Sequence, residues 1–197
     1  MSLRGIRLVL FLAELNGLEE WGTDIGNAYL EAFTKEKVCI EAGPEFRDLQ
    51  GHKLIILKAL CGLRTSGLRW HERLSDCLRD MSFEPCKMEP DIWLRDNEDH
   101  YEYIDVCADD LLIVSKDPNN IVNILKTKYE FKLKGTGPIS YHLGCNFDRD
   151  KNGILCFAPR KYIEKMEESC VNMFGSKPKQ VYMSPLVKGD HPELDTS

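Results

Sequence analysis

The sequence has no apolar run near the roughly 20 residues that a membrane-crossing helix needs, which argues against a membrane-spanning protein. It also lacks any Cys-x-x-Cys pair. Its eight cysteines (Cys39, Cys61, Cys77, Cys86, Cys107, Cys145, Cys156 and Cys170) are scattered, which points to reduced, mostly buried thiols rather than a zinc framework or a disulfide scaffold. Positive charge is not in excess, with 26 Lys and Arg against 32 Asp and Glu and a net charge of −6. A generic nucleic-acid coat is therefore excluded, and any phosphate-holding surface must be local. The five histidines, His52, His71, His100, His142 and His191, show no ligand-like spacing, and no Ser, Cys or His constellation offers a hydrolase nucleophile. His71 is expected to pack or hydrogen-bond on its own helix. Arg4 and Arg7 interrupt the apolar start, and no small-residue cleavage site follows, so the beginning does not read as a secretory signal. An intracellular protein is expected.

What is present suits one folding unit with a real core: 197 residues, 43% hydrophobic and 29% charged, without an internal repeat or a low-complexity linker. Leu3, Ile6, Val9, Leu10 and Ala13 recur at intervals of three and four, which predicts a helix over 3–13 that stops at Asn16-Gly17. A strand is predicted over 21–25, with Asp24 near its end. Strands over 38–40 and 53–60 are expected to pair around Gln50-Gly51. A helix is predicted over 67–81, with Leu68, His71, Leu74, Cys77 and Leu78 on one face and Arg64 and Arg69 near its start. Segments 91–95, 101–107 and 111–114 read as hairpin strands, and 118–129 as a short helix through Ile121, Val122, Ile124 and Leu125. Segments 141–147 and 154–157 flank the turn Asn152-Gly153, and a further helix is expected over 161–174. The tail after Pro185 reads as loose.

Asp109-Asp110 sits between two apolar segments, 104–106 and 111–114. Two adjacent carboxylates there lose hydration and repel each other unless a cation compensates them. A solvated turn is the plainer reading of an Asp-Asp pair, but turns usually bring Gly, Asn or Pro, and strand-like residues flank this one on both sides. Asp24 lies far away in sequence, and two neighbouring strands of one sheet would bring it to the pair. Three carboxylates suit magnesium, and two such ions can drive an in-line phosphoryl displacement.

The blocks TDIGNAYL, CIEAGPEF, KALCGLRTSGLRWHERL, CADDLLIV and YHLGCNF occur in the order and spacing of a known family. In them the chain resembles the reverse transcriptase domain of copia-type LTR retrotransposons, over nearly its whole length. The resemblance implies an α+β fold, the right-hand palm of a polymerase (an antiparallel sheet with packed helices), with partial fingers and the start of a thumb. The domain would cover 1–186, with a primer-grip-like hairpin at 141–158 and a flexible tail at 187–197. It implies Asp24, Asp109 and Asp110 as catalytic metal ligands for two magnesium ions, with manganese as an alternative. Tyr29 matches the aromatic beneath the incoming sugar, where a ring would clash with a ribose 2′-hydroxyl. Ile25, Gly26 and Arg64 fall to the nucleotide site, and Arg69, Leu143 and Gly144 to the primer and template. The plainer alternatives are a core aromatic at Tyr29, isolated surface arginines at 64 and 69, and an ordinary surface hairpin at 141–146.

The implied partners are an RNA or DNA template with its primer, deoxynucleoside triphosphates and the remainder of a retrotransposon polyprotein. The implied compartment is the cytoplasm, within a virus-like particle, or the nucleus. Two departures stand out, since Cys107 and Ala108 occupy positions where the family carries an aromatic and a larger aliphatic residue. Their lost volume predicts looser packing on primer and template, and restoring Tyr and Val is expected to improve extension. The family's upstream fingers and its thumb would lie outside this chain, which is expected to be a fragment. The competing expectation is a folded, catalytically silent remnant of a mobile element.

Overall fold

The computed structural model describes residues 3–177. Helix α1 (Leu3–Asn16) buries Ile6, Val9, Leu10 and Ala13 of the predicted stripe, while the Leu3 side chain and the tail expected over 187–197 lie outside what the structure describes. It ends as expected: Gly17 takes a left-handed φ of 60°, and the Leu18 N–H donates back to the Ala13 carbonyl at 2.9 Å. Strand β1 (Glu19–Ile25) leads through a 3₁₀ turn (Ala28–Glu31) into β2 (Phe33–Glu41). A second 3₁₀ segment (Pro44–Leu49) precedes β3 (Lys53–Lys58), which pairs with β2 as a separate antiparallel hairpin.

Helix α2 (Ser66–Asp80) departs from the predicted face. Leu68 and His71 are exposed, and the buried stripe is Trp70, Leu74, Cys77 and Leu78. Both readings share Leu74, Cys77 and Leu78, but the observed stripe begins at Trp70, spaced i, i+4, i+7, i+8; the large indole wins the core position because it removes the most apolar area from water. His71 faces Ser75 at 3.5 Å on its own helix, as expected.

The main sheet has six strands in the order β4-β5-β6-β7-β1-β8, and every pairing is antiparallel. These are β4 (Glu84–Pro85), β5 (Ile92–Asp96), β6 (Tyr101–Cys107), β7 (Asp110–Ser115), the already described β1, and β8 (Leu133–Pro138). Helix α3 (Pro118–Thr127) starts on an Asp117 cap that accepts the Asn120 N–H at 3.1 Å, with Pro118 in its first turn. Strands β9 (Tyr141–His142), β10 (Cys145–Arg149) and β11 (Leu155–Ala158) form a three-stranded sheet, followed by helix α4 (Arg160–Phe174). The single strand expected over 141–147 is therefore broken. Leu143 and Gly144 both take left-handed φ, 48° and 81°, and reverse the chain between β9 and β10. Helix α4 buries none of its residues.

Strands β6 and β7 are covered on both faces, which explains why their sequence does not alternate. One face carries Ile104, Val106, Leu111 and Ile113 against α2 and α3. The other carries Tyr103, Leu112 and Val114 against α1 and Phe147 of β10. The architecture is α+β, in three layers.

The small sheet is tied to the large one by Arg149. Its guanidinium donates to Glu14 at 2.6 and 3.0 Å, to Glu20 at 3.2 Å and to the Gly153 carbonyl at 2.9 Å. Burial and the nearby Glu14 carboxylate push Glu20 up to about 6, while Arg149 holds Glu14 low. Arg149→Ala is expected to lower stability by on the order of 2 kcal/mol at pH 7, because it strands a buried carboxylate. Glu20 in the folded protein takes up its proton at a higher pH than its ordinary 4.5. The loss should therefore shrink as pH falls from 7 to 5, which paired denaturation curves would measure.

Candidate active site

The site grows from the β6–β7 hairpin. Cys107 pairs with Asp110, so Ala108 and Asp109 form a two-residue turn at the sheet's end. Ala108 takes a left-handed φ of 57°, a conformation costing roughly 1–2 kcal/mol for a residue with a Cβ. A β-branched residue fits that region less well than alanine, so the valine expected to improve this position would add strain. The Trp70 indole N–H donates to the Ala108 carbonyl at 2.8 Å and holds the turn from α2.

Strand β1 brings the third acid. Asp24 lies directly opposite Asp110, and the Ile25 N–H donates to the Asp109 carbonyl at 2.8 Å. The three predicted carboxylates thus share one end of the sheet through backbone register. Asp110 is raised above the usual carboxylate range, first by burial and then by Asp109 and Asp24, with His142 opposing the shift. A divalent cation would relieve that repulsion, and the donor set is oxygen only, as magnesium prefers. No group of three or more His, Cys, Asp or Glu side chains is gathered at metal-holding geometry among the described residues. The acids are adjacent without being closed around a point.

On β1's other side lies β8, which sequence reasoning missed. It sets Lys134 opposite Asp24, a cation next to the acids. Gly26 passes so close that a Cβ there would meet the Lys134 side chain at 2.8 Å and the Lys132 carbonyl at 3.1 Å. The Ile25 side chain is wholly buried, so only its backbone belongs to the site's frame.

A cavity of about 580 Å³ opens beside Asp109, lined by Tyr29, Leu30, Ala59, Leu60, Trp70 and Ala108 among others. Tyr29 is half-buried in the 3₁₀ turn that follows Asn27, itself at φ 58°. Arg69 lines a second cavity of about 750 Å³ with Lys35, Lys58, Arg73 and Lys132. Its guanidinium is engaged by Glu72 at 2.7 Å, and its Nε is buried without a hydrogen-bond partner. Arg64 is exposed in the loop before α2. Leu143 and Gly144 sit at the β9–β10 turn, next to His142.

The antiparallel sheet thus carries paired acids at its central hairpin and a third acid on the adjoining strand. The family model "Reverse transcriptase (RNA-dependent DNA polymerase)" matches residues 1–185, and the chain belongs to that family. It is 27% identical over 184 residues to the Retrovirus-related Pol polyprotein from transposon TNT 1-94 of Nicotiana tabacum, covering 90% of this chain and 14% of that protein. It is 27% identical over 186 residues to the corresponding polyprotein from transposon RE1 of Arabidopsis thaliana, covering 93% of this chain and 13% of that one. A Saccharomyces cerevisiae protein, the Transposon Ty1-NL2 Gag-Pol polyprotein, is 34% identical over 119 residues, 58% of this chain and 6% of its own. The chain thus spans about a seventh or less of the curated relatives it matches. No solved structure matches it. Among the described residues no helix is long and apolar enough to cross a membrane.

Proposed function

We propose that this chain is the palm and adjoining parts of an RNA-directed DNA polymerase from a copia-type retrotransposon polyprotein, extending a primer on an RNA or DNA template with deoxynucleoside triphosphates. The observation that carries the reading is the register that sets Asp24 opposite Asp110 beside the Asp109 turn. Two magnesium ions, with manganese as an alternative, would be held by Asp24, Asp109 and Asp110 and would supply activation of the primer 3′-hydroxyl and charge relief on the departing pyrophosphate. In this reading the six-stranded sheet with α2 and α3 is the palm, the β2–β3 hairpin belongs to the fingers, and α4 begins the thumb. Such a domain would work inside a larger polyprotein, in a cytoplasmic particle or the nucleus.

The chain's own residues then orient and exclude. Trp70 fixes the acidic turn, and the turn's backbone bond to Ile25 holds the two acid-bearing strands in one register. Tyr29 lines the cavity that Asp109 shares, where its ring would lie against the sugar and reject a 2′-hydroxyl. The Leu143-Gly144 turn would meet the primer end, and Arg64 and Arg69 the phosphates of nucleotide and template. Tyr29→Ala should relax sugar selection about ten- to a hundred-fold towards ribonucleotides, the scale of relieving a steric clash of about 1–3 kcal/mol. Parallel incorporation of ribo- and deoxynucleotides measures it, and unchanged selectivity would return Tyr29 to a packing role. Magnesium-dependent incorporation that disappears in Asp110→Asn tests the reading as a whole.

A further inference from the structure

Strand β6 carries two buried acids with opposite fates. Glu102 is fully served: Arg95 reaches it at 2.6 and 2.7 Å, and the Ser115 hydroxyl donates to its other oxygen. Asp105, three residues on and 0% exposed, has no hydrogen-bond partner on either carboxylate oxygen. Facing it is His142 of β9, 5% exposed, whose Nε2 also has no hydrogen-bond partner and lies 3.9 Å from the Asp105 carboxylate. A lone buried carboxylate is costly enough that it persists only when another group compensates it. Among the described residues no other charged side chain forms an ion pair with Asp105. A movement of about 1 Å would bring the two groups to hydrogen-bond length.

The pair's position gives it a consequence. Asp105 lies two residues before Cys107 on the face of the sheet that also carries Asp110 and Leu112. His142 immediately precedes the Leu143-Gly144 turn that joins β9 to β10. We propose that Asp105 and His142 form a buried positioning pair that fixes the β9–β10 turn against the acid-bearing face of the main sheet. The two residues contribute no chemistry; they hold the turn at one distance from the Asp109-Asp110 hairpin. That this distance sets the placement of a primer end rests on the polymerase reading above.

Amide hydrogen exchange on the full chain tests the pair, using Asp105→Asn, His142→Gln and the apolar double variant Asp105→Leu with His142→Leu. Each single change should speed exchange across 141–147 and 107–111 at least about ten-fold while α3 changes less than two-fold, because it strands one buried polar partner. The double variant should return to within about three-fold of the parent, since a well-packed apolar pair replaces a buried ion pair at little loss. A single variant that fails to fold beside a folded double variant also supports the coupling. Unchanged exchange at 141–147, acceleration spread evenly over the chain, a double variant as impaired as the singles combined, or loss of fold in singles and double alike would overturn it. Exchange reads the pair without any nucleic acid, so a parent chain that binds no primer–template would count against the polymerase reading alone.

Discussion

Replacing Trp70 with alanine is expected to lower stability by about 3–5 kcal/mol, or a fall in Tm of about 6–20 °C for a chain of this size. The indole is 3% exposed, meets Phe131 edge-on at 5.6 Å and packs with Leu74, Ile25 and Leu111 in the core beneath the sheet. Its removal would open a cavity next to the one Asp109 already borders. It would also release the Ala108 carbonyl, which accepts the indole N–H in a turn held at an unfavourable φ. Trp70→Phe separates the two roles. It should recover most of the stability, yet exchange at 107–110 should stay faster than in the parent, because phenylalanine keeps the packing and lacks the donor. Denaturant titrations of the three proteins measure the first effect, and equal stabilities for Ala and Trp at position 70 would contradict the placement of this side chain.

Asp110→Asn should act in opposite directions on stability and activity. Without metal, the substitution removes a carboxylate that is partly buried and directly opposite Asp24, beside Asp109. Like charges across a strand pair destabilise by on the order of 0.5 kcal/mol, so the variant should melt slightly higher in chelator. The parent's Asp110 has a raised pKa in the folded state, so protonation favours folding, and the parent gains stability as pH falls towards that raised pKa; the variant lacks this gain. Magnesium reverses the order. At ten times its dissociation constant a ligand that binds only the folded state adds about 1.4 kcal/mol, a gain the variant should largely lose. On the proposed reading activity should fall with it, because the remaining acids would no longer complete the ligand set. A variant less stable than the parent in chelator, or one stabilised equally by magnesium, would contradict the acidic cluster as a cation site.

Much of the fold could be read from residue patterns, and the places where it could not have physical causes. The stripe on α1, the Gly17 stop and the hairpins around Asp109 are local events, in which spacing and turn chemistry act within a few residues. β8 escaped because its sequence, LKGTGP, holds two glycines and a proline and shows no apolar alternation. It becomes a strand by lying at the sheet's edge against β1, where a terminal proline is tolerated, with Thr136 and Thr23 bonding hydroxyl to hydroxyl at 2.8 Å. The face of α2 was misassigned because Leu68 and Trp70 lie on different sides of one helix, and only the sheet packed beneath decides which is covered. At the site, the Asp109-Asp110 pair stood out as acids between apolar segments, and Asp24 through the TDIGNAYL block. The support for them did not: the Trp70 bond to Ala108 and the approach of His142 to Asp105 join residues far apart in sequence, and no local pattern announces either. Asp105 itself is an acid inside an apolar strand, the same signal that exposed Asp109, and could have been found by it.

The most direct test of the central claim is primer extension on an RNA template with deoxynucleotides and magnesium, comparing the chain with its Asp109→Asn, Asp110→Asn double variant. The account predicts extension by the parent and none by the variant at matched folded content. Extension that survives in the double variant, or its absence from a folded parent, would contradict a polymerase centre built on these acids in this chain.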